Sequence, residues 1–122
     1  MKTLHIRKGR EIFEEGSTSD CAYIIESGSV EVTKNLGTGI KQVLGTLHEK
    51  GIFGELGLID GLPRTATVTA LEDCSISVLS PEVFNALSKR NPQALIPFLK
   101  ILTKRLRDAL RIVNELESQA NK

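Results

Sequence analysis

A chain of 122 residues carrying a formal charge of +1 fits one domain, able to bury roughly two thirds of the surface its unfolded form exposes. A hydrophobic share of 40% against 25% charged residues is that of a soluble globular protein; the near-neutral balance leaves no broad footprint for nucleic acid, and no apolar run reaches the roughly 20 residues of a membrane span. The opening MKTLHIRKGR lacks the apolar segment of a secretory signal, so a cytoplasmic location is expected.

The first half reads as short strands at residues 4–7, 11–14, 22–26, 29–34 and 41–47, punctuated by Gly9, Gly16, Gly28 and Gly37. Such regular spacing predicts an antiparallel barrel or jelly roll closed around a small core. Residues 35–39 read as a mobile hairpin tip. Cys21 and Cys74 have neither zinc-site nor disulfide-scaffold spacing and read as free thiols. His5 and His48 are isolated, short of the histidine and carboxylate cluster that a metal-dependent jelly-roll enzyme requires.

Residues 53–68, FGELGLIDGLPRTATV, interrupt the strand pattern. Gly54, Glu55 and Gly57 open a turn of helix whose unpaired backbone N–H groups suit an anion. A Gly61-Leu62-Pro63 turn then leads to Arg64, whose planar guanidinium donates two parallel hydrogen bonds to a phosphate, as a lysine cannot. From Thr65 to Ala70, polar and apolar residues alternate as in a strand, and Arg64 shares parity with Ala66, Val68 and Ala70. If that register runs back through the turn, the arginine points inward, where an unpaired charge calls for an anionic partner.

Gly54-Glu55-Leu56-Gly57-Leu58 and Pro63-Arg64-Thr65-Ala66 match, in identity and separation, the phosphate-binding cassette of the cyclic-nucleotide-binding domain family. The resemblance is densest here but extends over nearly the whole chain. It implies that Arg64 and the backbone amides of Gly57 and Thr65 take the phosphate, that Glu55 with the Gly54 carbonyl region takes the ribose, and that Leu56 lies in the same cassette. Family frequency favours cyclic AMP over cyclic GMP, and Thr65 is compatible with either. Many family members carry a helical segment before the first strand; here the strands begin almost directly with Leu4, which departs from the usual helix-to-helix signalling arrangement.

Strands at 67–71 and 75–79 resume the barrel. Ser80-Pro81-Glu82 is a helix start, serine capping and proline in the first turn, and predicts a helix over 81–89. A longer helix is predicted over 92–119, with an irregularity at Pro97. Leu95, Leu99, Leu102, Leu106, Ala109, Val113, Leu116 and Ala120 form a heptad-like stripe, and a homodimer is expected through Leu106, Val113 and Leu116. Lys104, Arg105, Arg107 and Arg111 read as the solvated face of the same helix.

The expected architecture is mainly β with C-terminal helices (α+β), one domain over 1–122: an antiparallel jelly-roll barrel at 1–79 containing the cassette helix, then two helices over 80–122. The expected function is a non-enzymatic sensor that couples cyclic nucleotide binding to helix rearrangement and passes it to an effector domain or protein. The DNA-binding helix-turn-helix that follows such a domain in the catabolite activator protein is not expected, since the sequence stops at Lys122. Two other classes compete: a nucleotide-independent interaction domain of the same fold, and a metal-dependent jelly-roll enzyme.

Overall fold

The computed structural model describes residues 2–37 and 39–120; Thr38, in the expected hairpin tip, lies outside the described residues. The chain divides into two compact units, up to Phe84 and from Asn85.

Among the described residues the first unit is built on eight strands: β1 (Lys2–Ile6), β2 (Glu11–Phe13), β3 (Ala22–Ser27), β4 (Val30–Asn35), β5 (Lys41–Leu47), β6 (Ile52–Phe53), β7 (Thr67–Ala70) and β8 (Cys74–Leu79). They form two antiparallel four-stranded sheets, β1-β8-β3-β6 and β2-β7-β4-β5. The core lies between them. Ile25, Phe53, Cys74 and Ile76 come from the first sheet and Val30, Val68 and Ala70 from the second, with Ile6, Ile12, Phe13, Tyr23, Val32 and Leu47 packed around them. Strand boundaries differ from expectation by one or two residues, as strand ends commonly do.

One strand is absent from the sequence reading. Two residues are too few to show periodicity, so β6 exists only through its partner: Phe53 pairs with Tyr23 and Ile52 with Ile24. The same edge continues into the preceding turn, where Ile25 N–H donates to Gly51 O at 2.9 Å and Lys50 N–H donates to Ile25 O at 2.8 Å. Because β6 lies in the first sheet and β7 in the second, the intervening cassette is a crossover at one end of the sandwich.

At the end of β8, Ser80 Oγ accepts the Val83 N–H at 3.3 Å, capping α2 (Pro81–Arg90) as its sequence predicts. In the second unit the expected continuous helix from Pro92 is instead a 3₁₀ turn, Pro92–Leu95, followed by α3 (Ile96–Ala120). Ala94 N–H reaches Asn91 O and Ile96 N–H reaches Gln93 O, bonds of the tighter 3₁₀ type. Pro97 falls in the first turn of α3, where its missing N–H costs no helical hydrogen bond, so the irregularity sits at the junction and leaves α3 unbroken.

Ile76 is fully buried between the sheets. Ile76→Ala is expected to destabilise the protein by about 2–5 kcal/mol, since little can collapse into a cavity walled by two sheets. The shift in urea midpoint at constant slope measures it.

Candidate functional site

The cassette helix, α1 (Glu55–Asp60), is bounded by two glycines in the left-handed region, Gly54 with φ 76° and Gly61 with φ 68°. At Gly54 two requirements coincide. An L side chain is strained at this φ, and a Cβ there would stand 2.7 Å from Arg64 Nη1. At the other end Gly61 N–H donates to Gly57 O at 2.9 Å and Leu62 N–H donates to Asp60 Oδ1 at 2.9 Å, turning the chain towards Arg64.

Arg64 is 6% exposed, and Ala66, Val68 and Ala70 are buried with it, so the inward parity read from the sequence holds. Its backbone is clamped by the segment between β2 and β3: Arg64 N–H donates to Ser17 O at 2.9 Å, and Gly16 N–H donates to Arg64 O at 2.8 Å. That segment is itself fixed. Glu15 N–H donates to Thr67 Oγ1, while the Glu15 carboxylate accepts Asn35 N–H at 2.9 Å and pairs with Lys34 Nζ at 3.4 Å. The Asn35 N–H, followed by the Lys34 side chain, holds the Glu15 carboxyl below the usual carboxylate range. Lys34 Nζ also donates to Thr65 O at 3.1 Å, tying β4 to the cassette's last turn.

The guanidinium has neutral acceptors. Nη1 donates to Gly54 O at 3.0 Å and Nη2 to Cys21 Sγ at 3.7 Å, while the buried Nε has no hydrogen-bond partner among the described residues. Cζ lies 4.2 Å over the Phe13 ring and 5.5 Å from that of Tyr23, within cation–π range. Tyr23 and Phe53 stack at 5.2 Å, and Phe13 closes the cluster at 5.8 Å from each. These contacts hold the cation in place without neutralising it.

Of the residues singled out in the sequence, Gly54, Gly57 and Arg64 come together, and Glu55 is buried beside them on α1. Leu56 is 46% exposed and Thr65 is exposed. Phe13, Ser19, Cys21, Tyr23 and Phe53 also build the site but were not anticipated. Only the aromatics carried a signal, since the chain has four Phe, one Tyr and no Trp. His5, on β1, faces Ser75, and His48 lies in the exposed turn after β5; among the described residues no three His, Cys, Asp or Glu side chains group to hold a metal ion.

The architecture is thus a two-sheet antiparallel roll whose crossover cassette presents a buried arginine, hydrogen-bonded among the described residues to neutral acceptors. The family model of the cyclic nucleotide-binding domain matches residues 3–91, and the chain belongs to that family. The cAMP-dependent protein kinase regulatory subunit of Yarrowia lipolytica is 38% identical over 82 residues, 67% of this chain and 21% of that protein. The crystal structure of the Thermus thermophilus catabolite activator protein superposes with a TM-score of 0.90 at 28% identity, covering 95% of this chain and 55% of that one. The cAMP-bound form of the EAL enzyme Bd1971 gives a TM-score of 0.68 at 37% identity, over 97% of this chain and 32% of that one. The chain thus spans about half or less of the length of each of these proteins.

Tyr23, the single tyrosine, reports on this pocket. Burial first, then the adjacent Cys21 side chain, push its phenol up to about 12, against the opposing pull of Arg64. The unfolded phenol ionises near 10.0, so the stability this group contributes is fully present below that pH and is lost as pH rises through about 12. Ultraviolet titration of the phenolate should show a midpoint about two units higher in the folded protein than in urea. Arg64→Ala should raise the folded midpoint further.

Proposed function

We propose that this domain is a non-enzymatic cyclic nucleotide sensor in which Arg64 and the backbone N–H groups of Gly57 and Thr65 receive the phosphate. Glu55 and the Gly54 carbonyl receive the ribose hydroxyl, and Leu56 lines the edge of the cassette. The observation that carries this reading is the state of Arg64: a buried, permanently charged guanidinium with an unpartnered Nε and two neutral acceptors. An anion that replaces the missing acceptor strength is favoured there. The Gly54 carbonyl retains a second lone pair while it holds Nη1, so it can position the arginine and still accept from a ligand.

Cyclic AMP is the favoured ligand over cyclic GMP. Kinship with a cAMP-dependent kinase subunit and with a cAMP-bound enzyme supports it, although the same enzyme also has a cGMP-bound form. Calorimetric titration of nucleotide-stripped protein with both cyclic nucleotides and linear AMP is expected to give saturable binding of cyclic AMP and a weak response to the linear compound. Arg64→Ala, by deleting a charge-assisted hydrogen bond, should weaken binding by about 1.5–3 kcal/mol. Unaltered affinity in that variant removes the assigned phosphate site. A folded, nucleotide-free protein that binds neither cyclic compound is instead the nucleotide-independent interaction domain.

The bound state is read out by an effector in the cytoplasm and by a second copy of the chain. On α3, Leu106, Val113 and Leu116 are 60%, 48% and 59% exposed and recur at the separations of a heptad seam, an arrangement that supports pairing with an identical helix. Sedimentation equilibrium should return a dimer mass for the parental chain and a monomer mass for Leu106→Glu/Leu116→Glu. A concentration-independent monomer for the parental chain removes the dimer.

A further inference from the structure

Ser19, in the segment between β2 and β3, is 3% exposed, and its hydroxyl has no hydrogen-bond partner among the described residues. A Cβ placed at Gly57 would stand 1.3 Å from Ser19 Oγ, 2.3 Å from Ser19 Cβ and 3.4 Å from Arg64 Nη1. The serine side chain therefore occupies the volume that any larger residue at position 57 would need, and that volume borders the guanidinium. Gly57, unlike Gly54 and Gly61, does not have a positive φ, so backbone conformation does not require glycine there. It sits inside α1, where alanine is the better helix former. Space is what excludes alanine, and Ser19 is what fills the space.

The hydroxyl also needs a reason. A sealed donor without an acceptor is unfavourable, and alanine at position 19 would avoid it. What the Oγ adds is contact, since it is the serine atom nearest the Gly57 notch. Arg64 Nη1 borders the same notch and is bonded to Gly54 O at the start of the same helix.

We infer that Ser19 is a positioning residue of the nucleotide site: its Oγ is the stop against which the first turn of α1 seats, and it sets how far the backbone N–H groups of that turn stand from the Arg64 guanidinium. The inference rests on the phosphate reading above, in which both donor sets address one phosphate. Positions 19 and 57 are then coupled in size, with room for one side chain between them.

The test combines thermal melts with calorimetric titration by cyclic AMP for the parental protein, Arg64→Ala, Ser19→Ala, Gly57→Ala and the exchanged pair Ser19→Gly/Gly57→Ala. Ser19→Ala removes the sealed hydroxyl and the stop together, so its melting temperature should equal or exceed the parental value while affinity falls roughly tenfold, the effect of one weakened charge-assisted hydrogen bond. A purely structural serine would not separate the two readouts. Gly57→Ala should lose both stability and affinity, and the exchanged pair should recover most of each. Parental affinity in Ser19→Ala overturns the inference, as does an exchanged pair no better than Gly57→Ala alone. Absence of binding by the folded parental protein overturns the phosphate reading and this inference with it, whereas binding that is lost only in Arg64→Ala leaves the phosphate reading standing and removes Ser19 alone.

Discussion

A guanidinium keeps its charge at any pH a folded protein survives, so burying one obliges its surroundings to supply what water supplied. Around Arg64 that supply is deliberately incomplete. An aromatic face, a carbonyl oxygen and a thiol hold it in position, and none of them carries a negative charge. Much of the surrounding architecture serves this placement: the backbone clamp from Gly16 and Ser17, the Glu15–Lys34 pair that anchors the clamping segment, and the left-handed Gly54 that aims its carbonyl at Nη1. A lysine would preserve the charge but would lose the stacking plane and the paired donors.

The barrel makes the placement affordable. Two antiparallel sheets bury a small apolar core, and the cassette crosses from one sheet to the other at their end, with a paired strand on either side of it. The helix between them is only six residues long and draws little stability from its own hydrogen bonds. Its position is imposed by β6 before it, by β7 after it, and by the buried Ser19 side chain against Gly57.

Where the sequence was legible, it was legible through periodicity and punctuation. The alternation from Thr65 to Ala70 pointed to an inward Arg64 because side-chain direction along a strand repeats every two residues; strand pairing stops at Thr67 and Thr65 and Ala66 form a bend, yet the alternation of buried and exposed residues runs back to Arg64. Ser80 and Pro81 announced their helix by cap and first-turn chemistry, and the Ser80 cap is formed. The two-residue β6 left no such trace, being defined by hydrogen bonds to a strand some thirty residues earlier. Likewise the stacked rings of Tyr23 and Phe53, the sulfur of Cys21 beside Arg64, and the fit of Ser19 into Gly57 join residues far apart in the chain, and no local pattern encodes such a meeting.

The sequence by itself therefore determined the fold class and the family, because both rest on residue types at short, fixed separations: glycine where left-handed backbone is needed, arginine at a buried parity, turn residues between alternating runs. Tertiary structure alone decided which groups surround the guanidinium and which of its nitrogens remain unpartnered. It also decided why position 57 is glycine, since steric volume at a contact between distant segments is a property of the packed barrel and of neither segment alone.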